Sequence, residues 1–354
     1  MKSISLIAVG DIAFSERIER CIKEHGHDYP FRNIKSIISS GDLLFGNLES
    51  PITDASVRNE SHYSKLTDDQ VLGNRVYLKA SPSVIGSLKA ARFSVLSIAN
   101  NHILDYQRQG LIDTISNLSE AGISPVGAGL NLRFARRPAI VEVKSRKIGF
   151  LAYSYTYEAT RGNYGCAPLW KFLVRQDVKF LRNRVDIVVV SFHYGKEFSF
   201  VPSKFQRSIS HFAIDSGADI ILGHHPHVVQ PVEIYKGKII IYSLGNFLFD
   251  PNDYGVPLCE NLLHYTKLSR ILKIVIREDG TLAYKLLPVF MDEDFQLKPT
   301  FNHVKGSATN EKDIYLGLRK TPLLFKLALL SLIKGSKSNI PLLATRALSE
   351  CGLL

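Results

Sequence analysis

The chain has 354 residues, 45% hydrophobic and 22% charged, with a mean hydropathy near zero and four cysteines at 21, 166, 259 and 351. These proportions exclude a disordered or fibrous chain. No apolar run reaches the ~18 residues of a spanning helix, and the cysteines lack metal or redox spacing, which fits a reducing compartment. The net charge of +11 favours a polyanionic partner: nucleic acid, acidic polymer, phosphorylated substrate or membrane surface. It does not choose among them.

In chain order, Ile4–Val9 is predicted as a strand ending at Gly10-Asp11, without the cleavage site of a secretory signal. Leu43–Leu48 is a second apolar run, ending at Glu49. Ser81-Pro82 is an N-cap with proline at the first helical position, opening a helix through Ala91. Phe93–Ile98 is a strand running into Asn100-Asn101-His102. Gln109–Ala121 has helical spacing and stops at Gly122. Ala139–Val143 and Ile148–Tyr153 read as paired strands, and Val185–Phe192 as a buried strand ending at His193. Lys204–Ser216 is helical, and Asp219–Leu222 is a short strand before Gly223-His224-His225-Pro226-His227. Val232–Tyr235 and Lys238–Ser243 flank the hairpin signal Lys236-Gly237, and strands follow near Arg270–Ile276 and Leu282–Pro288.

Strands alternating with helices predict an α/β fold, and the hairpins add mixed or antiparallel sheet. Strand signals stop near residue 295, which divides the chain into 1–295 and a basic, mainly helical extension over 296–354. Residues 301–354 hold eight Lys/Arg against three Asp/Glu. Within them Pro322–Lys334 is a short apolar helix, read as docked on the main domain, with a basic interfacial anchor as the alternative.

The polar clusters lie just after apolar strands. Open α/β sheets bind ligands outside the carboxyl ends of their strands, so Asp11, Asn47/Glu49, Asn101/His102, His193 and His225/His227 are expected on one rim. Singly, each has a plain structural explanation: Asp11 as a helix cap, Asn101 as a turn residue, His193 as a core histidine. Three histidines within four residues, broken by proline, are hard to explain by packing alone. A mixture of carboxylate, amide and imidazole suits Mn²⁺, Zn²⁺ or Fe²⁺. If the triplet is extended, His225 and His227 share a face as ligands and His224 makes a structural hydrogen bond. Lys196 and Glu197 either contact substrate or pair with each other. Asn246 and Asp250 border the site, and Asp105 either orients a histidine or caps a helix. Trp170 reads as packing. Tyr153, Tyr155 and Tyr157 alternate along one sheet face.

The segments Gly10-Asp11-Ile12, Gly46-Asn47-Leu48-Glu49-Ser50-Pro51-Ile52, Ala99-Asn100-Asn101-His102-Ile103-Leu104-Asp105-Tyr106, His193-Tyr194-Gly195-Lys196-Glu197, Gly217-Ala218-Asp219, Gly223-His224-His225-Pro226-His227-Val228-Val229-Gln230-Pro231 and Tyr242-Ser243-Leu244-Gly245-Asn246-Phe247-Leu248-Phe249-Asp250 resemble, in order and spacing, the poly-γ-glutamate capsule biosynthesis protein (CapA) family. The resemblance covers roughly residues 3–255. That family is similar to the calcineurin-like metallophosphoesterases, which implies a four-layer α/β/β/α sandwich of two mixed sheets flanked by helices. It also implies roles. Asp11 is a ligand of one metal with His227, Glu49 stands where a bridging aspartate lies, and Asn101, His193 and His225 serve the second metal. His102 is the general acid, with Lys196 and Asn246 on the substrate. The family's usual Asp-x-His is here Asp11-Ile12-Ala13, so the first site lacks a ligand.

The resemblance implies a metal-dependent hydrolase with one or two divalent ions and a bridging hydroxide. It would cleave a phosphoester or γ-glutamyl amide in an anionic small molecule or acidic polymer. The alternative is a non-catalytic polymer-binding factor in capsule synthesis or export. No nucleic-acid motif is visible, so nucleic acid is not the expected partner. The expected location is cytoplasmic, with peripheral membrane contact through the basic tail as the variant.

Overall fold

The computed structural model describes residues 3–60, 76–255 and 258–300. Of these, residues 3–60, 76–255 and 263–299 belong to one compact unit. Its strands are β1 (Ile4–Ile12), β2 (Leu43–Leu48), β3 (Val95–Ser97), β4 (Ser124–Val126), β5 (Ala128–Gly129), β6 (Ala139–Val143), β7 (Arg146–Ser154) and β8 (Gly165–Cys166). They continue as β9 (Ile187–His193), β10 (Ile220–His224), β11 (Val232–Tyr235), β12 (Lys238–Ile241), β13 (Asn246–Leu248), β14 (Leu268–Ile276), β15 (Leu282–Met291) and β16 (Leu297–Pro299). One sheet has the order β16-β15-β14-β1-β2-β3-β4, with β13 also paired to β1; the other has the order β11-β12-β10-β9-β7-β6. A small third sheet pairs β5 with β8.

Both main sheets are mixed, as expected. β1, β2, β3 and β4 run parallel, while β14 and β15 are antiparallel. β7, β9, β10 and β12 run parallel, with β6 and β11 antiparallel at the edges. The central strands are apolar on both faces because both faces are covered. One core joins Leu6, Ala8 and Phe45 of the first sheet to Phe150, Val189 and Leu222 of the second. The Phe45 and Phe150 rings stack with centroids 5.6 Å apart. On the outer face of the second sheet, Val188, Val190 and Ile221 pack on Val174 and Leu181 of one helix and Ile209 and Ala213 of another. Helical residues Ile18, Phe31 and Leu88 are likewise buried with the first sheet. Helix, sheet, sheet and helix therefore form the four-layer α/β/β/α sandwich. Burying each large side chain contributes roughly 1.5–3 kcal/mol.

Local signals set the ends of elements. The Lys204–Ser216 helix opens with a capping box, Ser203 and Gln206, and closes at Gly217 in the left-handed region. Ser81 caps a 3₁₀ turn, Pro82–Val84, before the helix Ile85–Ala91. Two further helices form, Glu16–His25, capped by Ser15 and closed at Gly26, and Lys171–Arg182. The first sheet continues past residue 295, since β16 pairs with β15. The helix expected over 322–334 lies outside the described residues. Among the described residues, no helix is long and apolar enough to cross a membrane.

Candidate metal centre

The site forms where parallel strands of both sheets end. Register places Asp11 beside Asn47 of β2 on one side and Asn246 of β13 on the other. In the second sheet, His224 at the end of β10 sits beside His193 at the end of β9. Two glycines permit this closeness. A Cβ on Gly10 would lie 1.8 Å from the Gly245 carbonyl oxygen, and one on Gly223 would lie 2.0 Å from that of Tyr242. Each glycine immediately precedes a residue of the rim, so backbone approach sets the position of Asp11 and His224.

Asp11 is completely buried. Its Oδ1 accepts from Asn47 Nδ2 at 2.9 Å and from His224 Nδ1 at 3.0 Å, and its Oδ2 accepts the His225 backbone N–H at 3.1 Å. Burial opposes its ionisation, but the His224 hydrogen bond and the nearby histidine charges outweigh it and hold the carboxyl below its ordinary value. Asn47 Nδ2 also donates to Glu49 Oε1 at 3.1 Å. Glu49 is pushed well above the ordinary carboxylate range by burial, then by the charge of Asp11.

His193 Nε2 and Asn101 Oδ1 are 2.7 Å apart. Burial, reinforced by the neighbouring imidazoles, drives His193 well below its ordinary value, and burial drives His225 down to about 4. Both rings are therefore neutral at neutral pH and retain a lone pair. His227 Nδ1 donates to Asn246 Oδ1 at 2.9 Å, which leaves Nε2 as its ligand atom. His102 Nδ1 donates to Asp105 Oδ2 at 2.8 Å. Burial lowers the His102 pKa, but the Asp105 charge and hydrogen bond prevail and raise it overall.

Among the described residues, two groups could hold a metal ion: Asp11, Glu49 and His193, and Glu197, His225 and His227, the candidate ligand atoms of each lying within 4.8 Å of one another. Among the described residues, Glu49 Oε2, His224 Nε2 and His225 Nδ1 are buried without a hydrogen-bond partner. An unmet buried polar atom costs about 1–3 kcal/mol, so the two in these groups, Glu49 Oε2 and His225 Nδ1, fit a cation better than a closed protein network. The donor set of carboxylate, amide and imidazole suits a divalent transition ion.

The structure revises several sequence readings. The triplet is not extended: His225 has φ 93° and His227 φ 58°. Their association with Glu197 comes from a turn, not from strand alternation. Asn246 is buried and donates to the Thr266 carbonyl at 3.1 Å and to the Tyr254 hydroxyl. It positions His227 instead of facing substrate. Asp250 is tied to Arg17 and Ser15. Lys196 points to solvent and does not pair with Glu197, which turns towards His225 and His227. Strand β7 ends at Ser154, so the tyrosine alternation breaks. Tyr153 is buried on Asp177, and Tyr155 meets the site, edge-on to His225. Trp170 is 45% exposed, with its indole N–H on Glu158. Asn47, expected on the rim with Glu49, is there and bridges the two carboxylates Asp11 and Glu49. Ala13 lies in a small apolar cluster with Leu78 and Phe249.

Sandwich and rim together define a two-sheet α/β/β/α protein with a candidate metal centre where parallel strands of both sheets end. Residues 5–251 match the model of a family described as bacterial capsule synthesis protein PGA_cap, and the chain belongs to that family. It is 30% identical over 322 residues to the PGA biosynthesis protein CapA of Bacillus subtilis, covering 90% of this chain and 78% of that one. It is 29% identical over 300 residues to the capsule biosynthesis protein CapA of Bacillus anthracis, covering 82% and 68%. A solved structure titled a novel phosphatase, from Mycoplasma pneumoniae, aligns over 82% of this chain and 94% of its own, at 15% identity and a TM-score of 0.49.

Proposed function

We propose that this protein is a metal-dependent hydrolase acting on an anionic substrate, a phosphoester or a γ-glutamyl amide, in the synthesis of an acidic capsule polymer of the poly-γ-glutamate kind. The observation that carries the reading is the convergence of two carboxylate–histidine groups on one rim, with buried ligand atoms that no protein group meets. The names of the relatives supply the polymer.

Asp11, Glu49, Asn101, His193, His225 and His227 would hold one or two divalent ions, Mn²⁺, Zn²⁺ or Fe²⁺. When bound, such ions lower the pKa of water and neutralise charge on a phosphoryl or carbonyl oxygen. The residues do the rest. Asp11 fixes the His224 ring and the His225 backbone, and Asn47 holds the two carboxylates in register. Phe249 and Tyr254 pack on His227 and keep water from its inner side. With Nδ1 turned to Asp105, His102 would give the proton on Nε2 to the leaving oxygen or nitrogen. Lys196, exposed beside the rim, would meet the substrate's negative charge.

The test is turnover by the metal-loaded protein of a panel of phosphoesters and of poly-γ-glutamate. Activity lost in His225→Ala supports the reading, and no turnover of either substrate class defeats it. The apolar setting of Ala13 favours a second reading, a non-catalytic factor that binds the acidic polymer. It expects salt-sensitive polymer binding without hydrolysis.

A further inference from the structure

We propose that Glu197 is a metal ligand: grouped with His227 and with His225, which also adjoins His193 of the other group, it gives the His227 ion the ligand lost where Ala13 replaces the histidine of the Asp-x-His pattern. This rests on the metal-dependent reading above. The Ala13 side is closed to any such role, because that methyl packs against Leu78 and Phe249. Glu197 approaches from the second sheet instead. Its carboxylate and the two imidazoles place ligand atoms within 4.8 Å of one another.

The loop carrying Glu197 is stapled to the histidine turn at several points. The Tyr194 N–H donates to the His224 carbonyl at 3.2 Å, and the Phe198 N–H to the Pro226 carbonyl at 2.8 Å. Gln230 Nε2 donates to the Ser199 carbonyl at 2.7 Å. The turn back towards the site needs Gly195, at φ 100°, where a Cβ would meet the Gln206 side chain at 2.8 Å. Phe198 follows at φ 59° and brings its ring to 6.2 Å from that of His227. Backbone bonds on both sides of Glu197 thus hold it against the residues it would join. A second observation points to a ligand: His225 Nδ1, buried and without a hydrogen-bond partner among the described residues.

The experiment is Mn²⁺ titration of the full chain by calorimetry, with metal content by mass spectrometry, on wild type, Glu197→Ala and Glu197→Asp. The expected result is two ions in wild type and the loss of one in Glu197→Ala, or at least a tenfold weaker second site. Glu197→Asp is expected to retain the second ion more weakly than wild type. The melting temperature without metal should be unchanged, since the side chain is partly exposed. If Glu197→Ala binds two ions as tightly as wild type, the assignment falls, even if turnover is lost. The hydrolase reading is then judged by wild-type activity alone. If wild type binds no metal, both fall.

Discussion

Asp11 and His193 stand on strands and Glu49 directly follows one, all sealed from solvent, whereas His225 and His227 lie in the bend after β10 at positive φ and Glu197 in the loop after β9, partly exposed. The first group is placed by sheet register. Moving any member would require moving a strand whose neighbours are fully buried. The second group is placed by backbone bonds between turns and includes two histidines at positive φ, a conformation costing of order 1–3 kcal/mol per residue. The comparison teaches where a ligand can be exchanged without disturbing the fold. The strand-end group tolerates little change, while the turn group can take a new side chain from a neighbouring loop.

The sharpest way to break this contrast is Asp11→Ala. It strips acceptors from Asn47, His224 and the His225 backbone at once, and should cost about 3 kcal/mol or more in urea unfolding. A loss under 1 kcal/mol would mean the strand-end group is less rigid than its hydrogen bonds indicate. Next in size, Mn²⁺ at about 100 times its dissociation constant should stabilise the wild type by roughly 2.7 kcal/mol. Hydrogen exchange should slow mainly at residues 195–199 and 225–227 and little along β1 and β2, because the turns have more order to gain. Equal slowing of both would erase the distinction. Asn47→Ala should weaken metal binding about 10–100-fold in calorimetry while leaving Glu197, His225 and His227 in place.

The smallest effect concerns Asp253, in the turn that presents Tyr254 to His227. Burial, and then the charge of Asp250, raises its pKa to about 7. The native state therefore keeps a proton that the unfolded chain releases at lower pH. Stability falls as pH rises from the ordinary carboxylate value to about 7, then levels off. Asp253→Asn should lack this slope and exceed wild type by about 1 kcal/mol at pH 8, a figure discounted for solvent near a partly exposed residue. Urea midpoints at pH 5 and 8 test it, and parallel curves would remove Asp253 from the account.

Much of the rim was legible because its residues follow apolar runs that could only be buried strands: Gly10-Asp11 after Ile4–Val9, His193 after Val185–Phe192, and the histidine triplet after Asp219–Leu222. The two-sheet architecture was legible through the resemblance carried by those motifs. What escaped was set by turns. Glu197 and Asn246 owe their directions to positive-φ residues and to strand pairings distant in sequence, neither of which has a periodicity. The helix Glu16–His25 was missed although Ser15 caps it, acidic residues open it and Gly26 closes it. The alternation of Tyr153, Tyr155 and Tyr157 misled because the strand ends before the pattern does.

The close crossing of Gly10 and Gly245 has a consequence for assembly. β1 precedes the other described strands in the chain, yet β13 and β14 flank it, and Asp11 meets His224 across 213 residues. A fragment ending before β14 would hold every rim residue yet leave β1 with an open edge. Pairings so distant along the chain close slowly. The growing chain would therefore expose the edge of β1 until β14 has been made, and an ion could find its complete set of ligands only after β10 and the histidine turn that follows it had docked.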